Sequence, residues 1–258
     1  MGKDLALSLG AGLGLGPIGP TLGHDMSTSL ELLQHITTGT ITTMLLKKGI
    51  RRCWMEGAMP FGALTKRVVG PAFTLRFVPV REDLATPASW SNPISTRAAI
   101  EAMPEGCVVV ADAMGVTSAG IFGDILCMRM VKRGVKALIT DGVMRDKTGV
   151  VGTGLPVWCA GVAAPASVNQ LTFVGWEEPI GCGGSAIFPG DVIVADEDGA
   201  VVIPKDLVDF VAQEGGEHER FEAWLVKEVE KGEKLPGLYP PNEDTKKRYE
   251  ADKKSGKA

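Results

Sequence analysis

The sequence predicts an α/β fold in which helices cover a sheet that contains parallel strands. A β-rich apolar run occupies residues 68–80, and a strand–helix–strand pattern occupies residues 107–140. Segments with helical periodicity lie on both sides of these two regions. A strand–helix–strand unit connects parallel strands with a right-handed crossover. The sequence therefore predicts an α/β domain.

Length and composition indicate one globular domain with an added segment at each end. Apolar residues make up 45% and charged residues 22% of the 258 residues, which excludes a mostly disordered chain. We expect a flexible glycine-rich arm at residues 1–26, one α/β domain at residues 27–235, and a tail rich in proline and charge at residues 236–258. The tail lacks apolar periodicity, so we expect it to be extended and to lie on a neighbouring subunit.

The N-terminal arm contains a possible dinucleotide-binding motif. Residues 14–19 have the spacing GxGxxG, but Pro17 and Pro20 interrupt the segment and no β-like run precedes it. That motif requires a strand before it and a helix after it. A flexible arm is therefore the preferred interpretation.

Charge and apolar patterning exclude two classes of partner. The net charge is −4 and no long basic run occurs in the predicted domain, so we expect no nucleic-acid partner. No apolar run approaches the length of about 18 residues that crosses a bilayer, so we expect no membrane partner. The five scattered cysteines lack CxxC spacing, which indicates buried free thiols in the cytoplasm.

The elements before the central unit follow from periodicity and capping residues. A helical pattern begins at Ser27, is divided near Thr37, and ends at Gly49. The run at residues 68–80 predicts one or two buried strands, with Pro71 at an edge or a bulge. A short helix is predicted at residues 93–103, with Asn92 as its cap and Pro93 at its first position.

The central unit is predicted as strands at residues 107–111 and 135–140, joined by a helix at residues 120–132. The predicted buried stripe of this helix consists of Ile121, Ile125, Met128 and Val131. Asp112 and Asp141 follow the two strands, so parallel pairing places them at one edge of the sheet. The beginning of the helix lies at the same edge, where open α/β sheets bind their ligands.

The C-terminal half is predicted as short strands followed by one long helix. The helix covers residues 205–231 and is expected to break near residues 215–216. Asp198-Gly199 predicts a hairpin turn. The predicted strands are residues 157–160, 171–174, 191–195 and 200–203.

Three charged residues can converge at the open edge of the sheet. Two carboxylates, Asp124 and Asp146, together with Arg145, suit a small oxyacid held by Mg²⁺ or Mn²⁺. The helix start at residues 123–126 offers free backbone N–H groups to an anion. From the residues alone, Asp-Gly-x-x-Arg-Asp is equally compatible with a capped turn that carries a surface salt bridge.

The sequence resembles the superfamily that contains the 4-hydroxy-4-methyl-2-oxoglutarate/4-carboxy-4-hydroxy-2-oxoadipate aldolases and the regulator of ribonuclease activity A. Aldolase members have an Asp, twenty intervening residues and then Arg-Asp, and Asp124 with Arg145-Asp146 fits this spacing. The resemblance spans roughly residues 28–231. Its carrying motifs are GPAFT at residues 70–74, Gly123-Asp124, DGVMRD at residues 141–146, PGD at residues 189–191 and ADEDG at residues 195–199.

This resemblance implies specific roles for the site residues. Asp146 would bind Mg²⁺ or Mn²⁺ directly, and Asp124 would hold metal-bound water and assist proton transfer. Arg145 would bind the pyruvyl group and stabilise the enolate. The residues implied in substrate binding are Gly123, Asp124, Ile125, Leu126 and Arg145.

The resemblance also implies a fold, an assembly and a reaction. The fold would be a layered α/β/β/α sandwich of the swivelling-domain type, with N-terminal helices and a long C-terminal helix. The assembly would be a homotrimer or hexamer with its sites between subunits, and a neighbouring acidic residue would complete the metal's water shell. Candidates for that residue, by location only, are Glu217, Glu219 and Glu222.

The implied reaction is retro-aldol cleavage of a 4-hydroxy-2-oxo acid to release pyruvate, with oxaloacetate decarboxylation as a side activity. Two alternatives are a non-catalytic binding protein like the ribonuclease regulator, and a lyase or hydratase acting on a sugar-derived oxo acid. The chain departs from many members at Gly149, where they have an acidic residue.

Overall fold

A single eight-stranded sheet forms the centre of the computed structural model, which describes residues 26–63 and 66–256. Its strand order is β1-β5-β4-β3-β2-β9-β10, and β6 pairs with β2. β7 and β8 form a separate hairpin. The strands are β1 (Met59–Pro60), β2 (Val68–Pro79), β3 (Val108–Asp112), β4 (Ala137–Thr140), β5 (Val157–Cys159), β6 (Leu171–Trp176), β7 (Ile180–Cys182), β8 (Ser185–Ile187), β9 (Val192–Asp196) and β10 (Gly199–Ile203).

Helices cover both faces of this sheet. Short 3₁₀ turns lie at Pro87–Ser91, Ser167–Asn169 and Lys205–Leu207. The α-helices are α1 (Met26–Leu33), α2 (Thr38–Lys47), α3 (Thr96–Ala102), α4 (Asp124–Lys132), α5 (Lys147–Gly152), α6 (Val208–Glu230) and α8 (Glu243–Lys254). The short segment α7 (Leu235–Leu238) is a turn between α6 and α8, because Pro236 and Gly237 have non-helical backbone angles. No helix of the described part of the chain is long and apolar enough to span a membrane.

The sheet curls into a nearly closed barrel. β2, β3, β4 and β5 are parallel neighbours, whereas β9 and β10 form an antiparallel hairpin. The amide of Met55 donates to the carbonyl of Ala200 in β10, and the chain then enters β1 at the other end of the strand order. One short segment thus links the two edges of the sheet.

Alternating residues of the central strand β3 separate two hydrophobic cores. Val108 and Val110 belong to the core that also contains residues of α1, α2 and α6. Val109 and Ala111 belong to the core that contains residues of α3, α4 and α5. Side chains on a strand alternate between its faces, so the continuous apolar run predicted for this segment fits a strand covered on both sides. The predicted layered α/β class is confirmed.

The N-terminal helices and the C-terminal hairpin agree with the sequence prediction. The hydroxyl of Thr37 caps α2 by accepting from the amide of Thr40 at 3.1 Å, which separates α2 from α1. β9 and β10 pair around Asp198-Gly199, as the hairpin signal indicates. Residues 14–19, with the GxGxxG spacing, lie outside the described residues.

Two predicted features before β3 differ in the structure. Pro71 lies inside the long central strand β2, where pairing with β3 begins only at the next residue, and the register irregularity falls instead between Arg76 and Phe77. The helix predicted from Pro93 begins at Thr96. Its cap is Ser95, whose hydroxyl accepts from the amide of Ala98 at 3.3 Å.

The predicted buried stripe of α4 is wrong at two positions. Ile125 is 81% exposed and Met128 is 40% exposed, whereas Cys127 and Met130 are fully buried. Gly120 is extended and bridges to Val143, so the helix begins at Asp124 rather than at residue 120. Because Ile121 lies before the helix, it does not share a helical face with Ile125 and Met128. The residues of α4 that face the sheet therefore differ from the predicted ones.

The C-terminal segment forms a helix rather than the extended tail that we expected. Asn242 caps α8 by accepting from the amide of Thr245 at 2.9 Å. Tyr249 of α8 packs against Phe221 and Trp224 of α6, with ring centroids 4.7 and 5.6 Å away. α6 itself is unbroken at residues 215–216. Aromatic packing between helices distant in sequence stabilises α8, which its own composition does not predict.

Candidate functional site

The loops at the carboxyl edge of the sheet are held by two aspartates. Asp141 follows β4 and accepts hydrogen bonds from the amides of Ala113, Gly115 and Gly183 at 2.9 to 3.2 Å. Burial raises the pKa of the Asp141 carboxyl, and these hydrogen bonds oppose that shift. Asp112 is the last residue of β3 and accepts from the amide of Met114 at 3.0 Å. Both aspartates lie at the predicted edge, where they hold loop backbone.

A cavity of about 440 Å³ opens at this edge and brings the predicted site residues together. Its volume lies in the range typical of small-molecule sites. The charged side chains that line it near the start of α4 are Asp124, Arg145 and Asp146. Gly123, Ile125 and Leu126 also line it. All the residues predicted to bind substrate or metal therefore surround one cavity.

Asp124 is the first residue of α4, directly after the extended cap residue Gly123. Its Oδ1 accepts from the amide of Ile125 at 2.7 Å. A negative charge is favourable at a helix N-terminus, where backbone N–H groups lack intrahelical partners. Ile125, although apolar, is exposed beside this carboxylate. The first turn of α4 thus presents a carboxylate, free amides and an apolar side chain.

Asp146 has an unusual backbone conformation. Its φ of 55° and ψ of 47° lie in the left-handed region, which costs on the order of 1 kcal/mol for a non-glycine residue. Its Oδ2 accepts from Nε of Arg145 at 3.1 Å, but the two side chains are 46% and 38% exposed. An exposed ion pair contributes little stability. The strain at Asp146 is therefore more consistent with a functional role than with a stabilising one.

Three glycines allow the charged residues to approach one another. A β-carbon on Gly120 would lie 2.7 Å from the backbone nitrogen of Arg145, and one on Gly123 would lie 2.5 Å from Oδ2 of Asp146. A β-carbon on Gly149 would lie 2.6 Å from Oδ2 of Asp124. These distances are far below normal contacts. Both carboxylates thus occupy space that glycine leaves open.

The carboxylates fit a hydrated hard cation. Among residues 26–63 and 66–256, no group of three or more His, Cys, Asp or Glu side chains is arranged to hold a metal ion. Mg²⁺ commonly binds through one or two protein carboxylates together with water and substrate. Asp124 and Asp146, on one cavity wall, are compatible with that mode. A structural zinc site would require four protein ligands.

The three glutamates named as candidate neighbouring ligands do not line the cavity of their own chain. Glu219 accepts from the amide and the hydroxyl of Thr37 at 2.7 and 2.8 Å. Glu217 accepts from Tyr249 at 3.0 Å and pairs with Arg220. Glu222 lies 3.2 Å from His218. Each glutamate thus has a partner within the chain.

Cys127 follows Asp124 by one helical turn but is not a candidate nucleophile. Burial, reinforced by the charge of Asp124, raises the pKa of its thiol to about 12. A thiol with this pKa remains protonated and unreactive near neutral pH. All five cysteines are free and buried, as predicted from their scattered spacing.

The prediction missed one wall of the cavity. This wall contains Trp90, Thr96, Arg97, Ala166 and Ser167. Arg97 lies over the ring of Trp90, with its Cζ 4.6 Å from the ring centroid. These residues are on the 3₁₀ turns and at the start of α3, and the sequence around them matches no motif. The one sequence feature that could have indicated this wall is the charge of Arg97, which lies in a mostly apolar stretch.

The part of the chain that contains this site matches the model of a known protein family. The model of the RraA-like family, described as Aldolase/RraA, matches residues 30–202. The chain belongs to the RraA-like family. The matched residues include every residue that lines the cavity, whereas α7 and α8 lie outside the match. The resemblance that the sequence motifs indicate is confirmed.

Relatives of this RraA-like chain carry different names. A Halalkalibacterium halodurans protein, provisionally named 4-hydroxy-4-methyl-2-oxoglutarate aldolase, is 36% identical over 148 residues, or 57% of this chain and 64% of that protein. Protein DlpA of Legionella pneumophila is 28% identical over 186 residues, which cover 70% of this chain. This match spans 29% of DlpA. The chain therefore covers less than two thirds of the length of each of these two relatives.

Solved structures share the fold. Streptomyces coelicolor RraAS2, described as an unusual member of the RNase ES inhibitor RraA protein family, has a TM-score of 0.69 and 32% identity. The similarity covers 80% of this chain and 98% of RraAS2. An uncharacterized protein from Pseudomonas syringae has a TM-score of 0.70 and 25% identity, covering 83% and 97% of the two chains.

Proposed function

We propose that this RraA-like protein is a divalent-metal-dependent lyase that cleaves a 4-hydroxy-2-oxo acid by a retro-aldol reaction and releases pyruvate. The observation that carries this proposal is the convergence of Asp124, Arg145 and Asp146 on one cavity, with glycines at the points of closest approach. The relative named as an aldolase, at 36% identity, supports a lyase.

In this proposal, Asp146 holds Mg²⁺ or Mn²⁺ directly and Asp124 holds it through water. A bound divalent metal supplies Lewis-acid polarisation of the 2-oxo group. The left-handed backbone at Asp146 is a strained conformation at a residue that lines the cavity and would hold the metal. Oδ2 of Asp146 accepts from Arg145, and no described residue donates to Oδ1.

Arg145 would bind the pyruvyl end of the substrate. Its Nε donates to Asp146, which leaves the two terminal nitrogens of the guanidinium group for the substrate. A planar guanidinium matches a carboxylate or an enolate with two parallel hydrogen bonds. A donor aimed at the developing oxyanion lowers the barrier because it needs no rearrangement during the reaction. The backbone amides of Ile125 and Leu126 would take the substrate carboxylate, and the Ile125 amide would first have to leave Oδ1 of Asp124, to which it donates in this structure.

Asp124 would manage the proton. Retro-aldol cleavage removes the proton of the C4 hydroxyl, breaks the C3–C4 bond and leaves the electron pair in the enolate of pyruvate. A proton then returns to C3. We assign both transfers to a water molecule held by Asp124, which stands at the cavity wall beside Arg145. Oxaloacetate decarboxylation passes through the same enolate, so we expect it as a side activity.

We also infer that the protein forms a homotrimer or hexamer with the cavity near a subunit boundary. The 81% exposure of Ile125 beside the cavity supports this inference, because an apolar side chain at a site is commonly covered by substrate or by another subunit. Light scattering of the purified protein measures the assembly. A monomer would contradict the inference.

The experiment that tests the lyase proposal measures pyruvate release after removal of metal with EDTA and after addition of Mg²⁺ or Mn²⁺. The substrates are 4-hydroxy-4-methyl-2-oxoglutarate, other 4-hydroxy-2-oxo acids, oxaloacetate and sugar-derived oxo acids. We expect metal-dependent activity that falls about 10²-fold or more in Arg145→Ala and in Asp146→Asn. Retained activity in both variants, or activity without metal, would contradict the mechanism.

A matched control uses another exposed Arg–Asp ion pair, formed by residues two apart in the sequence. Arg81 and Asp83 form an exposed ion pair with an Nε–Oδ1 distance of 2.8 Å, and neither lines the cavity. Arg81→Ala and Asp83→Asn should leave the activity unchanged. A loss in these variants as well would show that removing any surface ion pair impairs the protein.

A second candidate function is regulation by binding. The 32% identity to RraAS2, described as a member of an RNase inhibitor family, favours it. Direct binding of a purified ribonuclease of the RNase E type, together with no lyase activity on any oxo acid, would make this candidate the better one. Lyase activity with no ribonuclease binding would exclude it.

A further inference from the structure

Arg97 is a partly buried cation with no acidic partner in the described structure. It stands in the first turn of α3 and lines the same cavity as Arg145. Among the described residues it makes one long hydrogen bond, 3.5 Å from Nη1 to the hydroxyl of Thr96. Burial lowers the pKa of Arg97, and no neighbouring carboxylate offsets that effect.

Two other arginines near this part of the chain have carboxylate partners, whereas Arg133 of α4 donates to the carbonyl of Met103 at 2.8 Å. Arg129 of α4 forms two hydrogen bonds to Glu101, at 2.8 and 2.7 Å. Arg76 lies 3.1 Å from Glu178. Partial burial of a cation is unfavourable unless the charge is compensated. The missing partner of Arg97 is therefore best supplied by an anion in the cavity.

Trp90 holds the guanidinium group of Arg97 in place. The Cζ atom lies 4.6 Å from the ring centroid, within the range of a cation–π interaction. Contact with the aromatic face leaves the N–H donors at the edge of the guanidinium plane available. The pair thus presents oriented donors to the cavity at little cost in side-chain freedom.

The cavity consequently contains two arginines with different surroundings. Arg145 stands beside Asp124 and Asp146, where the 2-oxo acid group is placed in the proposed function. Arg97 stands on the wall with Trp90 and has no carboxylate beside it. A substrate with an acidic group at each end matches this arrangement. The volume of about 440 Å³ accommodates such a small acid.

We propose that Arg97, positioned by Trp90, determines specificity by binding a second carboxylate at the far end of the substrate. This inference rests on the proposed function, because Arg145 must take the pyruvyl end. 4-Hydroxy-4-methyl-2-oxoglutarate, the compound in the name of the Halalkalibacterium halodurans relative, already carries such a terminal carboxylate, and the inference assigns the residues that would bind it. The competing arrangement is an apolar substrate arm in the neighbouring cavity of about 260 Å³, which shares Trp90, Thr96 and Ser167 with the first.

Kinetics on two matched substrates test the role of Arg97. 4-Hydroxy-2-oxoglutarate carries the terminal carboxylate, and 4-hydroxy-2-oxopentanoate has a methyl group in its place. Arg97→Met should raise KM for the first substrate about 10- to 100-fold, the effect of one charge-assisted contact, and leave kcat unchanged. KM for the second substrate should not change. Equal changes for both substrates, or none, would overturn the proposal.

The positioning role of Trp90 has its own test. Trp90→Leu should raise KM for the dicarboxylate without changing its kcat, and Trp90→Phe should restore most of the wild-type value because a ring remains under the cation. Arg129→Met is the control for Arg97→Met, because Arg129 lies outside the cavity, and its KM values should equal those of the wild type. A lowered melting temperature with unchanged KM values would show that the Arg97–Trp90 contact is only packing.

A binding measurement separates this inference from the proposed function. Calorimetry with the Mg²⁺-supplemented protein compares 2-oxoglutarate with 2-oxopentanoate, neither of which has the 4-hydroxyl group needed for retro-aldol cleavage. We expect tighter binding of 2-oxoglutarate by the wild type and loss of that preference in Arg97→Met, even if no lyase activity is found. Tighter binding of 2-oxopentanoate by the wild type would overturn the inference and favour the apolar arm.

Discussion

A β-carbon on Gly149 would lie 2.6 Å from Oδ2 and 2.7 Å from Cβ of Asp124. The two residues therefore occupy a space that admits only one side chain. The family resemblance implies an acidic residue at the position of Gly149, and this contact gives a steric reason why glycine suits the present position of Asp124. An acidic side chain at position 149 would have to displace Asp124 from its present position.

We expect Gly149→Ala to impair the site without unfolding the protein. The added methyl group would meet Cβ as well as Oδ2 of Asp124, so the start of α4 must shift together with the carboxylate. A misplacement of about 1 Å in an active site can cost on the order of 10²-fold in rate. Residue 149 is within α5, where alanine is a better helix former than glycine, so the helix should persist. The kcat/KM of pyruvate release and the melting temperature measure the two effects.

Gly152→Ala is the matched control for this substitution. Gly152 lies in the same helix, and a β-carbon there would have no atom within 4 Å. The Gly152→Ala variant should be as active as the wild type. Its free energy of unfolding should rise by up to about 1 kcal/mol. Full activity in Gly149→Ala would show that the position of Asp124 is not critical.

Gly123→Ala should displace the Asp146 carboxylate and weaken metal binding. The backbone at Gly123 is extended, with φ of −120°, so alanine is allowed there and only the 2.5 Å approach to Oδ2 of Asp146 opposes it. The carboxylate should rotate away and lose its bond to Arg145. We expect the Mg²⁺ concentration for half-maximal activity to rise about 10-fold or more, as for loss of a supporting contact at a metal site.

The control for Gly123→Ala is Gly39→Ala in α2, where the nearest atom to a β-carbon is 3.8 Å away. Its metal dependence should match the wild type. An unchanged Mg²⁺ requirement in Gly123→Ala would argue against Asp146 as a metal ligand.

Acid should loosen the contact between α6 and α8. Lys253 of α8, with further contributions from Arg220 and Tyr249, lowers the pKa of Glu217 from 4.5 to about 2. A carboxyl group whose folded pKa is depressed stabilises the fold above its unfolded pKa, and this stabilisation is lost as pH falls through the folded value. The Glu217 contribution should therefore be complete above about pH 4.5 and should disappear toward pH 2.

Urea unfolding of the wild type and Glu217→Gln between pH 7 and pH 2.5 measures this effect. The variant should have the lower midpoint at pH 7, and the difference should narrow below pH 4.5. Glu243→Gln is the control, since Glu243 is an exposed residue paired with Lys246 three residues later. A constant difference across the pH range would exclude ionisation of Glu217 as its cause.

Local sequence patterns determined much of this protein's architecture. The βαβ unit, the β9–β10 hairpin and the division of α1 from α2 depend on runs of residues close in the chain, so periodicity and turn chemistry predict them. The spacing of Asp124 and Arg145-Asp146 follows from the same unit, because parallel strands and a crossover helix place their open ends at one edge. These residues line one cavity, as the sequence predicted.

Contacts between distant segments decided the rest. The start of α4 depends on the bridge from Gly120 to Val143, and α8 depends on the rings of α6. Trp90 and Arg97 join the cavity because the chain before α3 packs against its wall. Sequence periodicity does not predict these contacts, because they depend on how segments distant in the chain pack together in the folded protein. The sequence thus determined which charged groups meet at the sheet edge. Only the tertiary structure decided that Gly149 leaves space for Asp124 and that Arg97 lines the same cavity with no acidic partner among the described residues.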